Sequence, residues 1–197
     1  LPPYRRQGAI RACMEAAFAE MYEEGMAFSA LYPFSTAFYR QFGFENGARL
    51  CDWTLPLEGL PSAGPNGRVE QLFPGDDLSP LLEVYRQVYG RCNLSVLRKT
   101  YDPALEKDNF LNQQRYIFLW RDEAGAARGF FISHKEREPE GVVMNCRTDF
   151  PMRNGFLFAD AQALQGLLSF ARAFRADYQY IRFTAGEGVP VTALVPE

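Results

Sequence analysis

Cysteine is sparse in this chain and scattered: Cys13, Cys51, Cys92 and Cys146. None forms a C-x-x-C pair, and the spacing suits neither a zinc site nor a small disulfide scaffold. All four read as reduced thiols, which points to a cytoplasmic protein without a metal; Cys13 falls on an apolar helix face and is expected to be buried. Histidine is scarcer still. His134 stands alone beside a charged hairpin, a weak candidate for catalysis. An excess of one charge is missing too: 21 basic and 24 acidic residues give a net charge of −3. That excludes the basic footprint of a nucleic-acid binder, and mild acidity suits a cationic amine substrate without requiring one. No apolar run approaches the ~20 residues that cross a membrane. What the chain has is apolar mass. Hydrophobic residues make up 47% of its 197 positions and aromatic residues 15%, enough for a core and too much for global disorder. That length accommodates one large domain or two small ones.

The densest chemistry lies near the N-terminus. Arg5-Arg6-Gln7-Gly8-Ala9-Ile10 runs straight into a helix expected over 8–24. Ile10, Cys13, Met14, Ala17, Phe18 and Met21 recur there at helical spacing, and Gly25 is a natural stop. The first-turn amides of a helix have no partner inside it, and the dipole adds partial positive charge, so such a start is a ready anion site. Gly8 allows close backbone approach, and Arg5 and Arg6 can add charge-assisted contacts to phosphate oxygens. The plain alternative is a solvated basic turn before an ordinary helix. Residues 26–31 are short, apolar and bounded by breakers, a strand pattern. Pro33 then opens a short helix with Phe34, Phe38 and Phe42 along one side and Ser35 and Tyr39 on the adjacent line. Gly43 ends it, and 44–57 returns as strand.

Residues 58–67 hold three glycines and two prolines and read as a linker. Beyond it the pattern predicts a strand at 68–72, a helix at 78–89 and a second helix between 95 and 105. Strands follow at 115–121, 128–134 and 142–150, with a polar hairpin loop at 136–141. An amphipathic helix at 157–172 carries Leu164, Leu167, Leu168, Ala171 and Phe174 on one stripe, and 178–184 closes as strand. Phe150 to Phe156, before that late helix, contains a single glycine and no counterpart of the N-terminal turn.

Two motifs together, Arg5-x-x-Gly8-x-Ile10 and Phe38-Tyr39-Arg40-Gln41-Phe42-Gly43-Phe44, resemble the GNAT superfamily of acetyl-CoA-dependent N-acetyltransferases. In that family an R/Q-x-x-G-x-G/A turn holds the CoA pyrophosphate on backbone amides; here Arg5 and Gly8 match, and Ile10 replaces the usual small last residue. The second motif looks like the family's F-Y-x-x-x-G-F segment, whose tyrosine commonly acts as general acid. The following domain makes the chain look most like the multidomain Enhanced-intracellular-survival type, with two GNAT-like domains and a sterol-carrier-like third. The resemblance implies an α/β fold: the C-terminal half of one GNAT domain at 1–57, a linker at 58–67, and a degenerate GNAT-like domain with a mixed, mostly antiparallel sheet at 68–197 that lacks a CoA turn. A start at Leu1-Pro2-Pro3, already at the coenzyme turn, reads as an internal fragment of a longer protein.

What the resemblance implies chemically is acetyl transfer from acetyl-CoA to a primary amine of an aminoglycoside, a polyamine or a protein lysine, in a trimer or hexamer. Arg5, Arg6, Gln7, Gly8, Ala9 and Ile10 would hold the coenzyme, and Tyr39 would protonate the departing thiolate. A phenol is protonated at neutral pH, with an ordinary pKa near ~10, although a packed core tyrosine is the plain alternative. Ser35 would hydrogen-bond the pantetheine arm or merely cap its helix. Glu45 and Asp52 could line an amine pocket or sit as surface carboxylates, and Trp53 and Trp120 read as core. A non-catalytic acyl-CoA-binding protein on the same fold is the competing reading. An interaction module built from the second domain is a third.

Overall fold

The computed structural model describes residues 7–47, 49–93, 95–96, 98–100, 109–147 and 155–193. The chain divides into two compact units, residues 1–49 and 50–197.

In the first unit, α1 spans Ala9–Glu23 and α2 spans Thr36–Arg40. Both end at a glycine, as the sequence predicts. Gly25 takes φ 72°, with its N–H on Tyr22 O at 3.1 Å and the Met26 N–H on Met21 O at 2.8 Å. Gly43 takes φ 86°, with its N–H on Arg40 O at 3.0 Å and the Phe44 N–H on Tyr39 O at 3.4 Å. These paired closing bonds need a left-handed residue just past the helix, which favours glycine. Two expectations are corrected. Residues 26–31 form no strand, because a strand exists through bonds to a neighbour and no described strand pairs with them. Cys13 is exposed, and no residue of α1 is buried; helical period shows which face is apolar, not what covers it.

Among the described residues, the second unit is a sheet with a helix on each face. Its strands are β1 (Leu50–Pro56), β2 (Gly67–Leu72), β3 (Tyr116–Asp122), β4 (Ala127–Glu138), β5 (Gly141–Asn145), β6 (Phe156–Phe158) and β7 (Tyr180–Gly186). Their order is β1-β7-β5-β4-β3-β2, with β6 on β4. All pairs are antiparallel except β5 with β7. Alternation along β3 sends Phe118 and Trp120 into a core with α4 (Ala161–Arg172), and Ile117 and Leu119 into a core with α3 (Ser79–Tyr89). Where α4 crosses the sheet, a Cβ on Gly166 would meet Trp120 Nε1 at 2.3 Å, so only glycine permits that approach.

Of the window between 95 and 105 where a second helix is expected, the described residues are not helical, and 97 and 101–105 lie outside the described residues. Two readings change in this unit. Of the strand expected at 142–150, the ladder ends at Asn145, 146–147 are not strand, and 148–150 lie outside the described residues; β6 pairs with Gly129–Phe131 of β4 just beyond the part that pairs with β5. The stretch 58–67, expected as a linker, is packed within the unit. Leu57 and Leu60 are buried, and the Arg172 guanidinium donates to the carbonyls of Glu58 and Leu60. The strand before it, β1, pairs with β7 across its full length. Glycine and proline mark turns, and a turn anchored by buried leucines is not a hinge.

Candidate active site

The start of α1 is built without any side-chain cap. Gly8 occupies the cap position at φ 78° and ψ 3°, and no acidic residue stands in the first turn. Its carbonyl takes the first helical bond, from Ala12 N–H at 3.0 Å. The amides of Ala9, Ile10 and Arg11 precede that bond and have no carbonyl one turn upstream in the helix. A Cβ on Gly8 would meet nothing within 4 Å, so the positive φ, not crowding, calls for glycine here. Gly8, Ala9 and Ile10 are all exposed. The geometry is that of an open, dipole-polarised anion site. Arg5 and Arg6 lie outside the described residues.

The second motif sits on α2. The Ser35 side chain accepts from Phe38 N–H at 3.3 Å, so it caps the helix and keeps its own proton to donate. Phe34, Phe38 and Phe42 form the expected row, with ring centroids 5.1 and 5.7 Å apart. Tyr39 is half-buried, and its ring meets Phe34, Phe38 and Phe44 edge-on at 5.3, 5.2 and 6.0 Å. Tyr39 therefore shares the packed side of α2 with the phenylalanines. Arg11, in the first turn of α1, ties the motifs together: it donates to Gln41 Oε1 at 3.1 Å and lies over the Phe42 ring at 5.4 Å. The residue after α2 thereby meets the turn after Gly8, a link that sequence spacing could not show.

The remaining candidates are accounted for otherwise. Glu45 takes a bidentate pair from Arg40 at 2.9 and 3.1 Å. Asp52 belongs to the second unit, where it accepts from Thr184 Oγ1 at 2.6 Å and faces Arg147 at 3.5 Å. His134 sits on β4 opposite Asn145. Trp120 is buried in the core, and Trp53 is half-buried against it. Burial pushes the Cys146 thiol up, so it stays protonated. Among the described residues no cluster of His, Cys, Asp and Glu could hold a metal ion, and no helix is long and apolar enough to cross a membrane.

The start of α4, the corresponding place in the second unit, is closed. Asp160 accepts from Ala163 N–H at 2.9 Å and from Arg128 at 2.5 Å. Partial burial opposes its charge, yet these bonds hold the carboxyl below the usual range. Phe156 of β6 stacks on Phe183 of β7 at 4.3 Å. Residues 150–154 of the segment before α4 lie outside the described residues.

Comparison with known proteins bears on both units. Residues 1–47 match the family model described as an acetyltransferase (GNAT) domain. No curated protein matches the chain. Among solved structures, the chain resembles a conserved protein of unknown function from Enterococcus faecalis V583, a probable N-acyltransferase, at TM-score 0.78 and 22% identity, over 100% of this chain and 47% of that one. It resembles a GCN5-related N-acetyltransferase from Anabaena variabilis ATCC 29413 at TM-score 0.75 and 22% identity, over 100% and 48%. A GCN5-related N-acetyltransferase from Kribbella flavida follows at TM-score 0.68 and 20% identity, over 100% and 45%. The chain thus spans just under half the length of these proteins. The likeness establishes a mixed α/β, mostly antiparallel fold of GNAT type.

Proposed function

We propose that this chain carries the coenzyme-binding end of an acetyl-CoA-dependent N-acetyltransferase. The observation that carries this reading is a coincidence within residues 1–47: the stretch that matches the acetyltransferase family begins its helix with an uncapped turn free of carboxylates. The amides from Gln7 to Ile10, with Arg5 and Arg6, hold the pyrophosphate. Ser35 donates its hydroxyl proton to the pantetheine arm. The amine nitrogen attacks the thioester carbon, a C–N bond forms, the C–S bond breaks, and the sulfur takes a proton from the Tyr39 hydroxyl. The amine's own proton leaves to a base.

In chain order, 1–57 form the end of the acyltransferase domain and 68–197 a second GNAT-like domain, with β1 lent to the second sheet. Asp160 and the Phe156–Phe183 stack support reading that second domain as unable to hold coenzyme. The resemblance to the Enhanced-intracellular-survival type supports a cytoplasmic trimer or hexamer acting on an aminoglycoside, polyamine or lysine amine. A second reading, an acyl-CoA-binding protein without turnover, is favoured by one observation: the Tyr39 ring is packed among three other rings.

The test is thiol release from acetyl-CoA by the longest natural polypeptide containing this chain, across a panel of amines, with Tyr39→Phe alongside. Amine-dependent release that collapses in the variant supports the transferase. CoA binding without release under any amine supports the second reading.

A further inference from the structure

On the α4 face of the second unit, past the end of that helix, a cavity of about 300 Å³ opens over β3, β4 and β5. That size lies at the lower end of small-molecule sites. Its walls are aromatic: Tyr116 and Phe118 from β3, and Phe174 and Tyr178 from the segment after α4. Phe118 and Phe174 touch at 5.7 Å and 55° and form one continuous wall. Ser133 is only 4% exposed, yet it lines this cavity.

The mouth carries both charges. Lys135 holds its ammonium over the Tyr178 ring at 5.1 Å, and Asp177 lies beside that ring on the rim. Neither forms an ion pair with a described residue. Burial pushes the Tyr178 phenol up, and Tyr116 and Asp177 push it further, so it keeps its proton and its neutral π-face. One charge of each sign, above an aromatic cavity with a hydroxyl in its wall, complements a ring that bears one carboxylate and one ammonium.

We infer that this cavity binds a free aromatic α-amino acid: the ring against the wall of Phe118 and Phe174, the carboxylate toward Lys135, the ammonium toward Asp177, and a polar atom on Ser133. The site lies wholly within the second unit and is independent of acyl transfer.

The test is calorimetry on the purified protein with three probes of similar size: L-phenylalanine, phenethylamine, which lacks the carboxylate, and 3-phenylpropionate, which lacks the ammonium. Phenylalanine should bind saturably and about two- to fivefold more tightly than either, the scale of a partly exposed charge contact. Lys135→Met should erase its advantage over phenethylamine alone, and Asp177→Asn its advantage over phenylpropionate alone. Ser133→Leu fills the cavity and should abolish binding; Lys135 and Asp177 are on the surface, so their variants decide the matter even if Ser133→Leu fails to fold. No saturable binding of phenylalanine at millimolar concentration would overturn the site. So would three probes of equal affinity.

Discussion

The starts of α1 and α4 differ in what satisfies their first-turn amides. At α1 the cap is Gly8 in a left-handed conformation, with no side-chain cap and no acidic residue in the first turn. At α4 the cap is Asp160 in extended backbone, its carboxylate on Ala163 N–H and locked by Arg128. Both are dipole ends with the same intrinsic pull on an anion. The first leaves that pull available to a ligand, whereas the second has spent it on a fixed internal anion that would repel a phosphate. A single cap residue is enough to turn one kind of helix start into the other. The units differ in a parallel way: the second has two buried cores rich in leucine and phenylalanine, and no residue of α1 or α2 is buried.

Four substitutions sharpen this contrast. The largest effect is expected for Tyr39→Phe, which should lower amine-dependent turnover by roughly 10²-fold or more while leaving coenzyme affinity nearly unchanged, the span typical of a lost general acid. Equal loss of kcat and coenzyme affinity would show that Tyr39 supports the fold of its segment instead. Next is the contrast of cores. Leu167 is fully buried, so Leu167→Ala should cost about 2–5 kcal/mol in urea denaturation, and Phe18→Ala, on a helix with no buried residue, less than ~1 kcal/mol. Comparable losses at both would contradict the difference between the units. Asp160→Ala should cost about 1 kcal/mol for a lost cap. Its pH dependence has a definite sign. The folded pKa of Asp160 is depressed, so its contribution is complete above the unfolded value near ~3.9 and is lost as pH falls through the folded value. The melting difference between wild type and Asp160→Ala should therefore shrink in acid; a constant difference would mean that the carboxylate's charge is irrelevant.

Much of this was legible in the sequence because its signals are local. The α1 period, the stops at Gly25 and Gly43 and the row of Phe34, Phe38 and Phe42 each depend on residues a turn apart. What was not legible depends on distant partners. Cys13 looked buried because its face is apolar, and covering that face is a tertiary matter. Residues 26–31 looked like a strand because composition records preference, not pairing. The stretch 58–67 looked like a linker because its glycines and prolines outweighed Leu57 and Leu60, which are the residues that anchor it. The strand β6 was absorbed into the following helix, since Phe156-Leu157-Phe158 runs into the apolar stripe of α4; Asp160, a cap residue before that stripe, was the available signal. The link from Arg11 to Gln41 joins side chains thirty positions apart and had no sequence signal at all.

The central claim is that the α1 start, and not the α4 start, takes the coenzyme pyrophosphate. Calorimetric titration of CoA into wild type and Gly8→Glu tests it most directly, with circular dichroism showing that both are folded. The substitution puts a carboxylate where α4 has one, at a backbone position that also disfavours any side chain. CoA affinity should fall by about 100-fold or more, the scale of a charge-assisted contact turned into a repulsion. Unchanged affinity in a folded Gly8→Glu protein would contradict the claim.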